Sequence, residues 1–229
     1  MGLAGSLQQG EAQIWQIKLD NPIWDTFESV LSTDERERAR RFRTEELQLS
    51  FSRCRSALRM VLGRYVNRPA SELAFRYGEF GKPALVDQRL QFNVSHSGTY
   101  ALIAVSCHPV GIDLEFMGKQ GIDLPGLIEM VCHDSEKSTL ASLGEQARSD
   151  MFYCLWSRKE AYAKMRGAGL NIPLPSLHFR PTDAPSMHEV MTEGGLASGS
   201  FTYDLKLIEG YSMSVCLPLP NAHIGIFHA

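Results

Sequence analysis

Gly111-Ile112-Asp113-Leu114-Glu115 sits near the middle of the chain, and the rest of the sequence can be read outward from it. With Val110 and Phe116 it has the apolar rhythm of a strand. Side chains alternate along a strand, so Asp113 and Glu115 share one face while Ile112, Leu114 and Phe116 take the other. Two adjacent carboxylates repel unless they are exposed or bridged by a cation. Magnesium favours such oxygen ligands and commonly shares its shell with phosphate oxygens. By itself the pentapeptide also admits a plainer reading, two acids on the wet face of an ordinary strand.

Downstream, Trp156-Ser157-Arg158-Lys159-Glu160-Ala161-Tyr162-Ala163-Lys164 reads as helix. Glu160 and Lys164 stand one turn apart and face the same way, and Trp156 shares that face. A carboxylate and an ammonium offered together can complete a metal site and bind phosphate; they can equally form a surface ion pair of little value. Upstream lies Phe92-Asn93-Val94-Ser95-His96-Ser97-Gly98. The expectation is an apolar strand ending in a tight turn at Ser95–Gly98, where hydroxyls, an imidazole and backbone amides suit an anion. A turn of self-bonded serines and a nucleophile–base pair are the other readings. The last is weak, because no G-x-S-x-G elbow is present.

Around these stretches the elements alternate. Ala12 to Leu19 reads as a first strand. Ser32-Thr33-Asp34-Glu35 looks like a capped helix start ahead of Arg36, Arg38, Arg40, Arg41 and Arg43. Glu45 to Val66 has helical spacing and stops before Asn67-Arg68-Pro69. Gly78 to Pro83 is a turn, and Tyr100 to Ser106 a strand. Leu127 to Leu143 reads as helix broken near His133-Asp134-Ser135, and Ser149 or Asp150 as the cap of a longer helix through Met165. Leu177 to Arg180 is strand-like, Pro181 to Ser200 a mobile loop, and Phe201–Ile208 with Tyr211–Leu217 a hairpin about Glu209-Gly210. The long helix, glycine turn and apolar strand at Phe51–Val66, Gly81 and Ala101–Val105 echo those at Phe152–Met165, Gly169 and Met213–Cys216. The pattern implies an α+β fold of two similar halves, residues 1–108 and 109–229, with a ligand cleft between them.

Composition limits the function classes. The chain has 229 residues and a formal charge of −3, so no global attraction to nucleic acid is expected. No apolar run is long enough to span a bilayer, and no export signal is read at the N-terminus. Gly2 with Ser6 formally matches a myristoylation pattern, for which an ordinary frayed start is the better account. Five scattered cysteines without a CxxC fit a reducing cytoplasm better than a disulfide framework or a zinc site.

Gly81-Lys82-Pro83, Phe92-Asn93-Val94-Ser95-His96-Ser97, Gly111-Ile112-Asp113-Leu114-Glu115 and Trp156 to Lys164 follow one another in a single order. In that order they resemble the 4′-phosphopantetheinyl transferases of the Sfp type, the larger monomeric branch of their superfamily. The resemblance covers most of the chain, from the arginine-rich helix to Leu170. It implies two α+β halves about a pseudo-twofold axis with coenzyme A between them. It further implies that Asp113, Glu115 and Glu160 surround Mg2+, that Lys164 approaches the pyrophosphate, and that Ser95 and His96 meet the 3′-phosphorylated adenosine. Lys82, Arg55 and Arg38 would supply further cationic contacts, whereas Glu35 stands where some members carry lysine. Glu160 would be the general base for a serine of an apo acyl or peptidyl carrier protein, docked near Phe116 and Met117. A coenzyme A sensor and a magnesium phosphohydrolase are the competing readings.

Overall fold

The structure, a computed structural model, describes residues 7–86, 90–118 and 121–229. The Gly2 and Ser6 pattern lies outside the described residues.

The first half contains strand β1 (Glu11–Lys18), helices α1 (Thr33–Arg40) and α2 (Glu45–Val66), the short strands β2 (Phe75–Tyr77) and β3 (Pro83–Leu85), then β4 (Gln91–Ser97) and β5 (Tyr100–Ser106). The second holds β6 (Gly111–Phe116), α3 (Leu124–Val131), α4 (Asp134–Ala141), the long α5 (Glu145–Arg166), and β7 (His178–Pro181) through β8 (Met187–Thr192), β9 (Leu196–Asp204) and β10 (Tyr211–Leu217). A final strand, β11 (His223–His228), follows.

Local chemistry sets the helix ends. Ser32 accepts from the Glu35 amide and Glu35 accepts from the Ser32 amide, a reciprocal capping box at α1. Thr44 caps α2, and Asn67 closes it in the left-handed region at φ 50°. Gly167 does the same for α5 at φ 65°. The break expected near His133 is present, because α3 ends before Cys132 and His133 caps α4. By contrast α5 begins at Glu145 behind Gly144, ahead of the expected Ser149 or Asp150 cap. Arg148 holds that first turn by donating to Leu140 O at 3.0 Å and Leu143 O at 2.8 Å.

The halves repeat one topology. β1-β5-β4 in the first sheet and β6-β10-β9 in the second have the same antiparallel order, and each half places a 22-residue helix after its first strand. Both faces of the first sheet are covered. Trp15, Ile17, Ile103 and Val105 pack with α2 residues Leu58, Val61 and Leu62. Ala12, Ile14, Leu102 and Ala104 point the other way, onto Ile112, Leu114, Met213 and Val215 of the second sheet. This second cluster joins the halves, and α5 and its neighbours cover the far side of the second sheet through Phe152, Leu155, Tyr162 and Cys216.

Three expectations need correction. Residues 181–200 are not a loop: β8 and the start of β9 extend the second sheet, because Met187, Val190 and Met191 reach its core while Gly194 and Gly195 make the turn. β9 ends at Asp204, short of the expected Ile208. The final strand was not foreseen, and it leaves the second half. β11 pairs in parallel with β1, and Phe227 stacks on Trp15 with ring centroids 5.0 Å apart. A boundary at residue 109 therefore separates the sheets only as far as β10.

Candidate active site

Gly111 lets α5 lie close across β6. A Cβ at this position would stand 2.0 Å from Ala161 O and 2.2 Å from Met165 N, backbone atoms that cannot move aside. Two residues further on the same face, Asp113 meets α5 side chains directly. Lys164 Nζ lies 2.5 Å from Asp113 Oδ1, and the Ser95 hydroxyl donates to the same oxygen at 3.1 Å. Asp113 is 1% exposed, and its Oδ2 finds no hydrogen-bond partner among the described residues.

Glu160, one turn before Lys164, has the same deficit: its Oε1 is buried without a partner among the described residues. Burial raises its pKa. Lys164 opposes the rise, and the negative charges of Asp113 and Glu115 add to it. Carboxylates from β6 and from α5, distant in sequence, thus share one electrostatic environment. The rotation of α5 that aims Glu160 is set from behind by Lys159, which is fully buried. Lys159 pairs with Glu136 at 2.6 Å and donates to Val131 O at 2.9 Å and Leu174 O at 3.0 Å.

The expected turn at Ser95–Gly98 is corrected by the structure. β4 continues through Ser97, and the chain reverses at Gly98-Thr99. Asn93, Ser95 and Ser97 therefore share the face toward β6. Asn93 Oδ1 accepts from Ile112 N at 2.9 Å, Ser95 Oγ from Leu114 N at 3.3 Å, and Ser97 Oγ from Phe116 N at 3.0 Å. Polar residues here mark strand contact, which a composition reading takes for a loop. His96 points to the opposite side and keeps solvent contact. Crowding by the surrounding protein, and then the Lys164 charge, hold its pKa below the usual imidazole value.

The remaining cationic candidates are dispersed. Lys82 Nζ donates to Val110 O at 2.9 Å and Met165 O at 3.0 Å. It lines a cavity of about 400 Å³ with Arg76, Tyr77 and Gly167. Arg55 is buried and bound to Glu35, with Nε 2.7 Å from Glu35 Oε1; Arg59 Nε holds the other oxygen at 2.6 Å. Both guanidiniums also lie over the Phe75 ring, at 4.8 and 5.1 Å. Arg38 stacks over Phe51 at 5.5 Å and lines a separate cavity of about 670 Å³ with Arg41 and Tyr77. So Asp113, Glu160, Lys164 and Ser95 come together with Glu115 beside them, while Arg55 is committed to Glu35. Sequence reasoning quoted Asn93, Ser97 and Lys159 within its motifs but gave them, like Arg59, no individual role; the period-two spacing of Asn93, Ser95 and Ser97 is the signal that could have placed the first two on one strand face.

Residues 14–108 match the family described as 4′-phosphopantetheinyl transferase, N-terminal, and residues 109–216 the 4′-phosphopantetheinyl transferase superfamily. A 4′-phosphopantetheinyl transferase of Bacillus subtilis, ffp, is 31% identical over 214 residues, 91% of this chain and 93% of the relative. The chain belongs to the 4′-phosphopantetheinyl transferase superfamily. Among further relatives, the 4′-phosphopantetheinyl transferase HetI of a Nostoc species is 36% identical over 172 residues, 72% of each chain. A solved holo-(acyl-carrier-protein) synthase from Bacillus anthracis, in complex with CoA (3′,5′-ADP), superposes with a TM-score of 0.40 at 15% identity, covering 48% of this chain and 93% of that one. The convergence of β6 and α5 on Asp113, Glu160 and Lys164 is the geometry of this family member's candidate active site.

Proposed function

We propose that this protein transfers the 4′-phosphopantetheine arm of coenzyme A to a serine of an apo acyl or peptidyl carrier protein, releasing adenosine 3′,5′-bisphosphate. One observation carries the reading at residue level: two buried carboxylate oxygens, Asp113 Oδ2 and Glu160 Oε1, lack hydrogen-bond partners among the described residues, beside a lysine ammonium. Such orphaned oxygens cost folding free energy unless a cation or donor meets them in use.

The donor set fits magnesium. Asp113 and Glu160 would hold it, with Glu115 adjacent. Among the described residues no group of three or more His, Cys, Asp or Glu is placed to hold a metal ion, so the expected trio of Asp113, Glu115 and Glu160 is not assembled as a ligand set. Magnesium held here would rest on one or two carboxylates, with phosphate oxygens and water completing its shell. When bound, magnesium would polarise the phosphoryl oxygens and neutralise charge on the leaving group.

The chain's own groups would do the rest. The carrier serine oxygen attacks the β-phosphorus of coenzyme A and forms a new P–O bond. The bond from that phosphorus to the bridging oxygen breaks, and adenosine 3′,5′-bisphosphate leaves with the electron pair. Glu160 takes the serine proton, directly or through one water. Lys164, held by Asp113, offers a fixed positive charge where the pyrophosphate bridge gains negative charge. Arg38 and Arg41, with His96 on the exposed face of β4, supply the donors for the nucleotide end. Phe116, 36% exposed beside Tyr211, offers an apolar contact for the carrier. Because both acid-bearing elements belong to one chain, the site needs no second copy, which supports a monomer. All five cysteines are free, which supports a reducing cytoplasm.

Incubation with coenzyme A, magnesium and an apo-carrier, read by intact mass, tests the proposal. A phosphopantetheinyl mass gain on the carrier is expected. An unmodified carrier with bound coenzyme A would indicate a sensor, and loss of the arm from a holo-carrier a hydrolase.

A further inference from the structure

Ser157, Arg158, Lys159 and Glu160 follow one another on α5, so their side chains point about 100° apart around its axis. Each of the first three meets a different neighbour. Ser157 Oγ lies 2.8 Å from Ser212 Oγ on β10. Lys159 reaches back to Glu136 on α4 and to the last carbonyl of α3. Arg158 reaches β9, where its Nε donates to Asp204 Oδ1 at 2.9 Å and its Nη2 to Asp204 Oδ2 at 2.5 Å. Glu160 is turned toward the acids of β6.

The place of Asp204 in the sheet ties this fork to the site. Ser214 of β10 lies opposite Asp113 of β6 on one side and opposite Asp204 of β9 on the other. Directly opposed residues share a face of a sheet, so Asp113, Ser214 and Asp204 form one row beneath α5. The two acids end that row, two strand spacings or roughly 10 Å apart. At the Asp113 end the helix is held by Lys164, a contact that the pyrophosphate would share in use. At the Asp204 end the partners, Arg158 and Asp204, have no role toward metal, coenzyme A or carrier, so a bound ligand leaves this contact in place. A guanidinium fork sets direction as well as attraction, because its parallel N–H bonds fit a carboxylate in one plane. Arg158 is itself confined, 9% exposed and with its guanidinium 5.6 Å from the Phe179 ring centroid.

We infer that Arg158 is a positioning residue: its fork on Asp204 fixes the rotation of α5 over the row and thereby aims Glu160 at Asp113. The inference rests on the transferase site proposed above, in which Glu160 is the group that must be aimed.

The test compares wild type with Arg158→Met, Arg158→Lys and the apolar pair Arg158→Met with Asp204→Leu, all in the full chain. Arg158→Met removes the fork. Its turnover should fall about tenfold or more with KM for coenzyme A within about twofold, because misaiming costs rate in the transition state and leaves ground-state binding alone. The magnesium concentration giving half of the metal's rise in Tm should increase about threefold or more. Affinity for adenosine 3′,5′-bisphosphate without metal, measured by calorimetry, should stay within about twofold, since the nucleotide end is distant from Arg158. Arg158→Lys keeps the charge without the fork, so Tm should return while turnover stays down about threefold or more. The apolar pair should also regain Tm, since packing can replace a buried ion pair, without regaining turnover or the magnesium response.

Turnover that returns together with Tm in the apolar pair would show that the fork serves stability alone and would overturn the inference. Unchanged turnover and magnesium response in Arg158→Met would overturn it equally. Should Arg158→Met fail to fold, Arg158→Lys and the apolar pair still decide. Normal transfer by wild type and by every folded variant would remove the positioning role and leave the transferase reading standing. A wild-type protein that never modified an apo-carrier would remove that reading, and the magnesium-induced rise in Tm across the variants would then decide the positioning role.

Discussion

Lys82, on the turn before β3 in the first half, donates its ammonium to Met165 O in the last turn of α5 at 3.0 Å and to Val110 O, just ahead of β6, at 2.9 Å. One side chain thus clips the first half to both elements that carry the site acids. Lys82→Met keeps the length of the stem and strands two carbonyls, one on fully buried Val110 and one on 6% exposed Met165. We expect a loss of about 2 kcal/mol in urea unfolding at pH 7. Burial pulls the lysine pKa down to about 8, an effect the nearby Cys216 opposes. Above that pH the folded protein sheds this proton before the unfolded chain does, so the lysine's contribution to stability rises with pH. The gap between wild type and Lys82→Met should therefore widen between pH 8 and pH 10; a constant gap would count against a buried, charged Lys82.

Glu160→Gln removes one charge from the acid group on β6 and α5. Turnover should fall about 10²- to 10³-fold with coenzyme A binding nearly unchanged. The raised pKa of Glu160 makes its ionised form unfavourable in the metal-free fold, and the penalty disappears as pH falls through that pKa. Metal-free Glu160→Gln should accordingly melt higher than wild type at pH 7, and magnesium should no longer raise its Tm. Near-normal turnover, or an intact magnesium shift, would refute the assignment.

Glu35 is 3% exposed and holds the guanidiniums of Arg55 and Arg59. Burial pushes its pKa up, but the two arginines and the Ser32 amide outweigh that and hold it below the ordinary value of 4.5. Its contribution is complete above that value and is lost as pH falls through the lowered pKa. Glu35→Gln should cost about 3 kcal/mol at pH 7, because two buried cations lose their counter-charge. Denaturant titrations should show the gap closing below about pH 4; a pH-independent gap would mean that the carboxylate is not ionised in the fold.

Gly111→Ala tests the approach of α5 to β6. The added methyl would meet the backbone of Ala161 and Met165, so helix and strand must separate. A loss of about 3 kcal/mol is expected, together with loss of transfer even in whatever fraction folds. Wild-type stability in this variant would show that the helix can retreat without cost.

Much of this protein is set by short-range chemistry, and the sequence carries it openly. The capping box of Ser32 and Glu35, the Asn67 and Gly167 stops, the alternation that puts Asp113 beside Glu115, and the one-turn spacing of Glu160 and Lys164 all follow from local periods of 2 and 3.6 residues. What the sequence by itself determined is therefore the elements and the acid and base types they carry. Which polar group each side chain satisfies was decided only in three dimensions. Arg55 looks like a phosphate contact until Glu35 claims it, and Lys82 until two carbonyls do. Ser95 looks like part of a turn until the edge of β6 arrives with an unpaired amide. β11 acquires its place only by reaching back to β1 at the opposite end of the chain. Burial forces every donor and acceptor to find a partner, and the partners on offer depend on which distant segments the apolar core has already brought together.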